Sequence, residues 1–108
     1  MKPAPKDLVL PKPTAIPGAK ELGLQIVVLD RGWVFVGYVS EDGEYVYIDN
    51  ANVVRTWGTD KGLGQIAMNG PTSSTVLDPV SRVRCSERAR LFMLECTEDA
   101  WGSVYKRR

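Results

Sequence analysis

Residue types that commonly perform chemistry are sparse in this chain of 108 residues. It contains no histidine, the commonest general base and metal ligand in proteins. The two cysteines, Cys85 and Cys96, form no Cys-x-x-Cys pair, and their wide spacing argues against a zinc site. A serine or cysteine nucleophile would also lack its usual base. We therefore expect a non-enzymatic protein without catalytic residues, metal or cofactor, and with both thiols free and mostly buried.

Residues 57–79 form a Gly- and Thr-rich segment, which is the best candidate for ligand binding. The spacing of its apolar residues predicts a short helix at about 61–68, which Asn69-Gly70-Pro71 ends. Backbone amides at the start of this helix could hold a nucleotide or phosphate. A structural turn is the alternative, because Lys61 precedes the glycines, whereas the P-loop lysine follows them. The candidate contacts are Arg55, Trp57, Thr59, Lys61, Gly62, Gly64, Thr72, Ser73 and Thr75.

The tryptophans have two competing interpretations. Trp57 could stack on a base, but an aromatic residue at a strand end more often packs in the core, and we favour the core. Trp33 and Trp101 are assigned to packing or to an interface.

Runs of β-branched and aromatic residues flank the Gly- and Thr-rich segment and must position it. They predict strands at 24–30, 33–40, 44–49, 53–57, 81–85 and 89–96. Gly37 predicts a bend, Glu41-Asp42-Gly43 a hairpin and Asn50-Ala51-Asn52 a turn. Cys85 and Cys96 fall on adjacent predicted strands and could approach each other. Five to six short strands in so few residues are typical of a small barrel or sandwich.

The order of these strands and turns is similar to that of SH3-like and Sm-like small barrels. Residues 33–51 resemble the first Sm signature, with Gly37 at the bend and Asp49-Asn50-Ala51 at the end. The Arg-Gly pair of the second Sm signature is absent. The resemblance implies a mainly all-β fold, a small barrel of about five to six strands with one short helix. It says little about RNA binding.

The ends of the chain differ from its body in composition. Five of the seven prolines lie in the first 17 residues, and proline fixes φ and removes an amide donor. Residues 1–23 are thus expected to form an extended Pro-rich arm, 24–101 the barrel and 102–108 a basic tail. The body at 21–105 carries twelve carboxylates and seven basic side chains, and this net negative charge argues against a nucleic-acid partner. The predicted partner-binding residues are Leu8, Val9, Leu10, Ile16, Lys106, Arg107 and Arg108.

Four sequence phrases resemble an uncharacterised family of small tailed-bacteriophage proteins. They are Leu-Asp-Arg-Gly-Trp at 29–33, Asn-Ala-x-x-x-Arg-x-Trp-Gly-Thr at 50–59, Gly-Leu-Gly-x-x-Ala-x-x-Gly-Pro-Thr at 62–72 and Thr-x-Leu-Asp-Pro at 75–79. The resemblance covers about residues 25–101, so the Pro-rich arm lies outside it. It implies a phage origin and no particular activity.

These features lead to two functional expectations. The first is a phage structural or assembly protein of the virion, such as a capsid decoration, cement or minor component. It would bind other phage structural proteins or its own copies through the arm, the basic tail and the Gly- and Thr-rich segment. The second is an oligomeric small barrel in the cytoplasm of the infected host, which sequesters a nucleotide or a host factor. No apolar stretch approaches the roughly 20 residues of a membrane span, so no membrane association is expected.

Overall fold

Five antiparallel strands make up most of the computed structural model, which describes residues 16–105. The strands are β1 (Lys20–Leu29), β2 (Val34–Glu41), β3 (Tyr45–Thr56), β4 (Val76–Ser86) and β5 (Arg90–Glu95), and helix α1 spans Leu63–Asn69. Three short 3-10 turns lie at Asp30–Gly32, Glu87–Ala89 and Glu98–Trp101. The prediction of a mainly β fold with one short helix is confirmed. The predictions for Leu8, Val9, Leu10, Lys106, Arg107 and Arg108 lie outside the described residues.

The sheet is curled, because its two edge strands are consecutive in the chain. The strand order is β4-β3-β2-β1-β5, and only the turn Glu87–Ala89 links β4 to β5. In a flat sheet these edges would lie about 19 Å apart, whereas the link spans at most about 14 Å. An ion pair across the curl joins Arg90 Nη1 to Glu41 Oε1 at 2.6 Å. β4 and β5 do not pair in the described part, so the sheet is curled but not closed into a barrel.

The bend predicted at Gly37 is confirmed. The pairing of β2 with β3 shifts register between Val36 and Tyr38, which is a bulge at Gly37. A Cβ at this position would lie 2.7 Å from Ile48 Cγ2 and 2.8 Å from the Asp49 carbonyl oxygen. Only glycine lets β3 approach β2 this closely. The predicted hairpin between the two strands is also present, with Gly43 at φ 93°.

The turn predicted at Asn50-Ala51-Asn52 is wrong, because β3 runs through it. Asn50 adopts φ 52°, a left-handed conformation that asparagine tolerates, and the register with β4 shifts beside it. The predicted strands 44–49 and 53–57 are therefore one bulged strand, and the sheet has five strands. β1 and β4 also begin earlier than predicted, at Lys20 and Val76.

Both faces of the sheet are buried, which makes two hydrophobic clusters. One cluster lies between the sheet and α1 and includes Ile26, Ile66, Trp101 and Tyr105, all of which are at most 1% exposed. The other lies on the opposite face and includes Val27. Residues 102–105, which the sequence analysis assigned to a tail, lead into this core through the buried Tyr105. No helix in the described part is long and apolar enough to cross a membrane.

The two cysteines lie on opposite edges and on opposite faces of the sheet. Cys85 on β4 packs against the cluster of Val27, and Cys96, just beyond β5, packs against the cluster of Trp101. The expectation that they occupy adjacent strands is wrong, because β4 and β5 are the two edges. Both thiols are free and half-buried.

Candidate functional site

The Gly- and Thr-rich segment is fixed to the core by its helix. Leu63, Ile66 and Ala67 are buried, as their spacing predicted. Gly70 ends the helix with φ 83°, and its amide donates to the Ile66 carbonyl at 2.8 Å. A Cβ at Gly70 would lie 2.0 Å from the Ala100 carbonyl oxygen, so glycine is required for this close approach. The helix end predicted at Asn69-Gly70-Pro71 is confirmed.

Threonine hydroxyls form hydrogen bonds within the Gly- and Thr-rich segment. Thr72 Oγ1 donates to the Gly58 carbonyl at 2.6 Å, and Thr75 Oγ1 donates to the Trp57 carbonyl at 2.7 Å. Thr59 Oγ1 donates to Gln65 Oε1. The three threonine hydroxyls among the predicted ligand contacts therefore have internal partners, which favours the structural interpretation of the turn.

An open depression of about 620 Å³ lies beside these hydroxyls. Of the predicted contacts it brings together Thr59, Lys61 and Thr72, while Gly58, Asp60, Gln65 and Ser74 complete the lining. Lys61 supplies the positive charge of the lining and Asp60 the negative charge. Arg55 does not line the depression, because its Nε donates to Asp78 Oδ2 at 2.7 Å. Gly62, Gly64, Ser73, Thr75 and Trp57 are also outside the lining.

The expectation that Trp57 packs in the core is wrong. Its side chain is 43% exposed, because β3 ends at Thr56 and Trp57 already belongs to the segment that follows. The Trp57 ring lies next to Gly62, where an added Cβ would be 3.9 Å from Trp57 Cζ3. Trp101 is fully buried and Trp33 is exposed, stacked on Phe35 with ring centroids 6.0 Å apart.

Among residues 16–105, the outer edge of β5 pairs with no strand, and this apolar edge was not among the sequence-based predictions. Leu91 is 59% exposed and Phe92 52% exposed, and no charged residue lies between Arg90 and Glu95. The sequence does contain a pattern that indicates this edge, since residues 91–94 are all apolar and lack the alternation of polar and apolar residues seen in a half-buried strand. Trp33 lies at the same corner of the sheet, because its carbonyl accepts from Leu29, which pairs with Arg90.

The opposite edge, β4, carries features that discourage pairing with another strand. Pro79 has no amide to donate, and Ser81 has φ 71° at a shift of register. Arg82 and Arg84 add charge, the first bonded to Asp49 and the second over the Tyr45 ring at 5.0 Å. Proline, irregular backbone and charge are common protections of natural edge strands. β5 has neither proline nor charge between Leu91 and Leu94, and its one irregularity is a shift of register with β1 at Leu91.

The backbone groups on the free edge of β5 follow from its pairing with β1. The Cys96 amide donates to the Leu24 carbonyl at 2.9 Å, so Leu24 and Cys96 face each other as a hydrogen-bonded pair. Such pairs alternate along an antiparallel ladder, and Leu94 and Phe92 are the next to bond to β1. Met93 and Glu95 therefore direct their N–H and C=O groups to the free edge.

Buried hydroxyl and thiol groups of the described part are held in their protonated forms. Burial, together with the Glu98 carboxylate 3.2 Å from its hydroxyl, raises the pKa of Tyr38 to about 12. Burial likewise raises the pKa of Cys96 to about 12 and the pKa of Cys85 by a smaller extent. These shifts disfavour the thiolate, the nucleophilic form. Among residues 16–105, no three Cys, Asp or Glu side chains group as metal ligands.

Ile16 is the one predicted partner-binding residue that falls within the described part. It is half-buried, and its carbonyl accepts a hydrogen bond of 3.1 Å from the Ala19 amide. Ile16 therefore belongs to the turn that leads into β1.

Comparisons with known proteins give no relative from which a function could be transferred. The chain matches no protein-family model, and it has no significant match among curated proteins or solved structures. Its function must be inferred from the geometry of this molecule and from its sequence.

Proposed function

We propose that this chain is a non-enzymatic structural or assembly protein of a bacteriophage, such as a capsid decoration, cement or minor virion component. The observation that carries the proposal is the free β5 edge, where Leu91 and Phe92 are more than half exposed. An unprotected apolar edge strand readily accepts a strand from another chain. The phage setting comes from the sequence phrases at 29–33, 50–59, 62–72 and 75–79.

The curled sheet fits a small SH3/Sm-like barrel that is open between β4 and β5. Three features support this finer description: the strand order β4-β3-β2-β1-β5, the 3-10 link Glu87–Ala89 and the bend at Gly37. In this description the open seam is where the molecule binds a neighbouring subunit. The fold itself implies no activity.

Binding at this seam would combine two kinds of contact. The backbone groups of Met93 and Glu95 offer hydrogen bonds to an incoming strand, while Leu91 and Phe92 offer apolar contacts. The Pro-rich arm and the basic residues Lys106, Arg107 and Arg108 would bind acidic surfaces of neighbouring subunits. The partners are other phage structural proteins, further copies of this chain, or both.

Incorporation of variants into particles tests this proposal. Phe92→Lys places a charge on the β5 edge and should lower incorporation about tenfold, as expected for a central interface contact. Val76→Lys is the matched control, since Val76 is an exposed apolar residue at the start of β4, the opposite edge strand of the sheet. Equal incorporation of both variants and the unaltered chain would contradict the proposed interface.

The open depression favours a second candidate function, an oligomeric barrel that sequesters a nucleotide in the host cytoplasm. Its supporting observation is the Lys61 ammonium in the lining beside Thr59 and Thr72. Calorimetric titration with a nucleoside monophosphate and with inorganic phosphate tests it. Lys61→Ala should abolish binding, whereas Arg55→Ala should retain it because Arg55 is paired with Asp78. Absence of heat with both probes would exclude this function for these ligands.

A further inference from the structure

Asn69 and Gly70, where α1 ends, form the single Asn-Gly pair of the sequence. An asparagine that is followed by glycine is especially prone to spontaneous deamidation, because glycine has no side chain to hinder attack by its backbone nitrogen. Asn69 is exposed to solvent. The pair is therefore a candidate site for a modification that needs no enzyme.

Deamidation at such a pair has two steps. The Gly70 nitrogen attacks Cγ of Asn69, the bond between Cγ and Nδ2 breaks, and the Gly70 amide proton leaves with Nδ2 as ammonia. Water then opens the succinimide ring that has formed. Addition of water at Cγ gives aspartate, whereas addition at the main-chain carbonyl carbon gives isoaspartate, whose backbone contains one extra carbon.

The fold holds the attacking nitrogen in a different interaction. The Gly70 amide donates to the Ile66 carbonyl at 2.8 Å. Gly70 is also buried, and a Cβ on it would lie 2.0 Å from the Ala100 carbonyl oxygen. Ring closure requires this hydrogen bond to break and the Gly70 nitrogen to move towards Asn69 Cγ. The hydrogen bond and the contact with Ala100 both oppose that movement.

Two further hydrogen bonds hold the same end of α1. The Thr97 amide donates to the Ala67 carbonyl at 2.9 Å, and Trp101 Nε1 donates to the same oxygen at 3.4 Å. Trp101 is fully buried, so this contact belongs to the core. The last turn of α1 is thus docked by its carbonyl groups as well as by Gly70.

We propose that Asn69 is a deamidation site gated by the docked end of α1. The folded chain suppresses the reaction, and opening of the last helical turn permits it. Local openings of this kind have their own free energies, so the rate at Asn69 reports the stability of this one contact. The inference does not rest on the proposed function, since it concerns the chemistry of the chain itself.

Formation of isoaspartate would make the opening permanent. The extra backbone carbon lengthens the link to Gly70, which can then no longer contact both Ile66 and Ala100 as it does now. α1 fixes the Gly- and Thr-rich segment to the core through its buried residues Leu63, Ile66 and Ala67. The modification would therefore loosen this segment and leave the sheet in place.

Two substitutions at Thr97 test the gate. Thr97 has φ −77°, which proline also adopts, so Thr97→Pro removes the amide donor to Ala67 without straining the backbone. Thr97→Ala keeps the donor and is the matched control. Circular dichroism shows whether both variants fold, and mass-spectrometric peptide mapping during incubation at neutral pH follows the conversion of Asn69.

The gate predicts three relative rates. The folded, unaltered chain should deamidate at Asn69 at least about tenfold more slowly than the same chain in urea. Thr97→Pro should speed the reaction about threefold, as expected for the loss of one hydrogen bond. Thr97→Ala should match the unaltered chain. The comparison with urea tests the gate even if Thr97→Pro does not fold.

The modified protein tests the structural consequence. Ion exchange separates it from the unmodified chain, because it carries one more negative charge. NMR should show about tenfold faster exchange of the Thr97 amide proton in the isoaspartate form. Asn69→Asp is the control for charge, since its backbone is unaltered, and it should change this rate less than about twofold.

Three outcomes would overturn the proposal. Equal rates in the folded and the urea-unfolded chain, or in the two Thr97 variants, would remove the gate. Conversion of Asn50 or Asn52 ahead of Asn69 in the folded chain would assign the site elsewhere. Unchanged Thr97 exchange in the isoaspartate form would contradict the permanent opening. None of these readouts depends on particles or on a ligand, so this proposal and the proposed function can fail independently.

Discussion

At the scale of single residues, the Tyr105 hydroxyl links three parts of the core. Asn52 Nδ2 donates to it at 2.9 Å, and the carbonyl oxygens of Val36 and Asn50 lie 3.0 and 2.7 Å away. These contacts join the end of the described chain to β2 and β3. Composition near the C-terminus indicated only a charged tail, because the burial of one tyrosine among polar residues leaves no periodic signal.

Removal of this hydroxyl should destabilise the fold. Tyr105→Phe leaves the buried Asn52 amide without its acceptor, at a cost of about 1–3 kcal/mol in the free energy of unfolding. Tyr45→Phe, at a half-buried ring beside Arg84, should cost less than about 0.5 kcal/mol. Denaturant unfolding of the two variants measures the difference. Equal stability of both would show that the hydroxyl contributes nothing.

Alkaline pH should destabilise the protein through its buried tyrosines. The folded-state pKa of Tyr38 is about 12, and burial also raises the pKa of Tyr105. Because the pKa is higher in the folded state, the protonated hydroxyl stabilises the fold in full below about pH 10, the pKa in the unfolded state. This stabilisation is lost as the pH rises through the folded-state pKa. The urea midpoint should thus fall from pH 9 to pH 11, and Tyr38→Phe should reduce that fall. A midpoint independent of pH in this range would contradict the expected burial.

At the scale of elements, two glycines have different structural roles: Gly37 allows two strands to approach closely, whereas Gly64 only lowers the helix propensity of α1. Gly37 lies where β3 crosses β2, whereas Gly64 lies in α1 with no atom within 4 Å of a Cβ. Gly37→Ala should cost about 1–3 kcal/mol through overpacking against Ile48. Gly64→Ala should instead stabilise the protein by up to about 1 kcal/mol, because alanine is the better helix former. Thermal unfolding distinguishes the signs, and a stabilising Gly37→Ala would contradict the close approach of the strands.

Elements with strong local signals were predictable from the sequence, and elements set by tertiary pairing were not. The bend at Gly37, the hairpin at Gly43 and the helix ended by Gly70 all depend on residues that favour one local backbone conformation. Asn50 also suits a turn, but β2 and β4 pair with β3 on both sides and hold it as a bulge. Local preference was overruled there by ladder hydrogen bonds.

At the scale of the whole molecule, the curl decides which surfaces are free. It brings Arg90 to Glu41, and the two described edge strands then differ, because β4 carries Pro79 and arginines whereas β5 exposes Leu91 and Phe92. The sequence predicted a curved β structure, but it could not reveal which strands are edges, because that depends on the order β4-β3-β2-β1-β5. The best candidate site therefore lies at Leu91 and Phe92 on β5 rather than in the Gly- and Thr-rich segment, where the hydroxyls of Thr59, Thr72 and Thr75 bond internally.

The central claim is that the β5 edge serves assembly into a particle. Given the proposed phage origin, quantitative mass spectrometry of particles purified from the encoding phage tests this claim most directly. The account predicts the chain at a fixed copy number relative to the major capsid protein, unchanged after a high-salt wash. Complete absence of the chain from purified particles would contradict the account and favour the soluble, ligand-binding alternative.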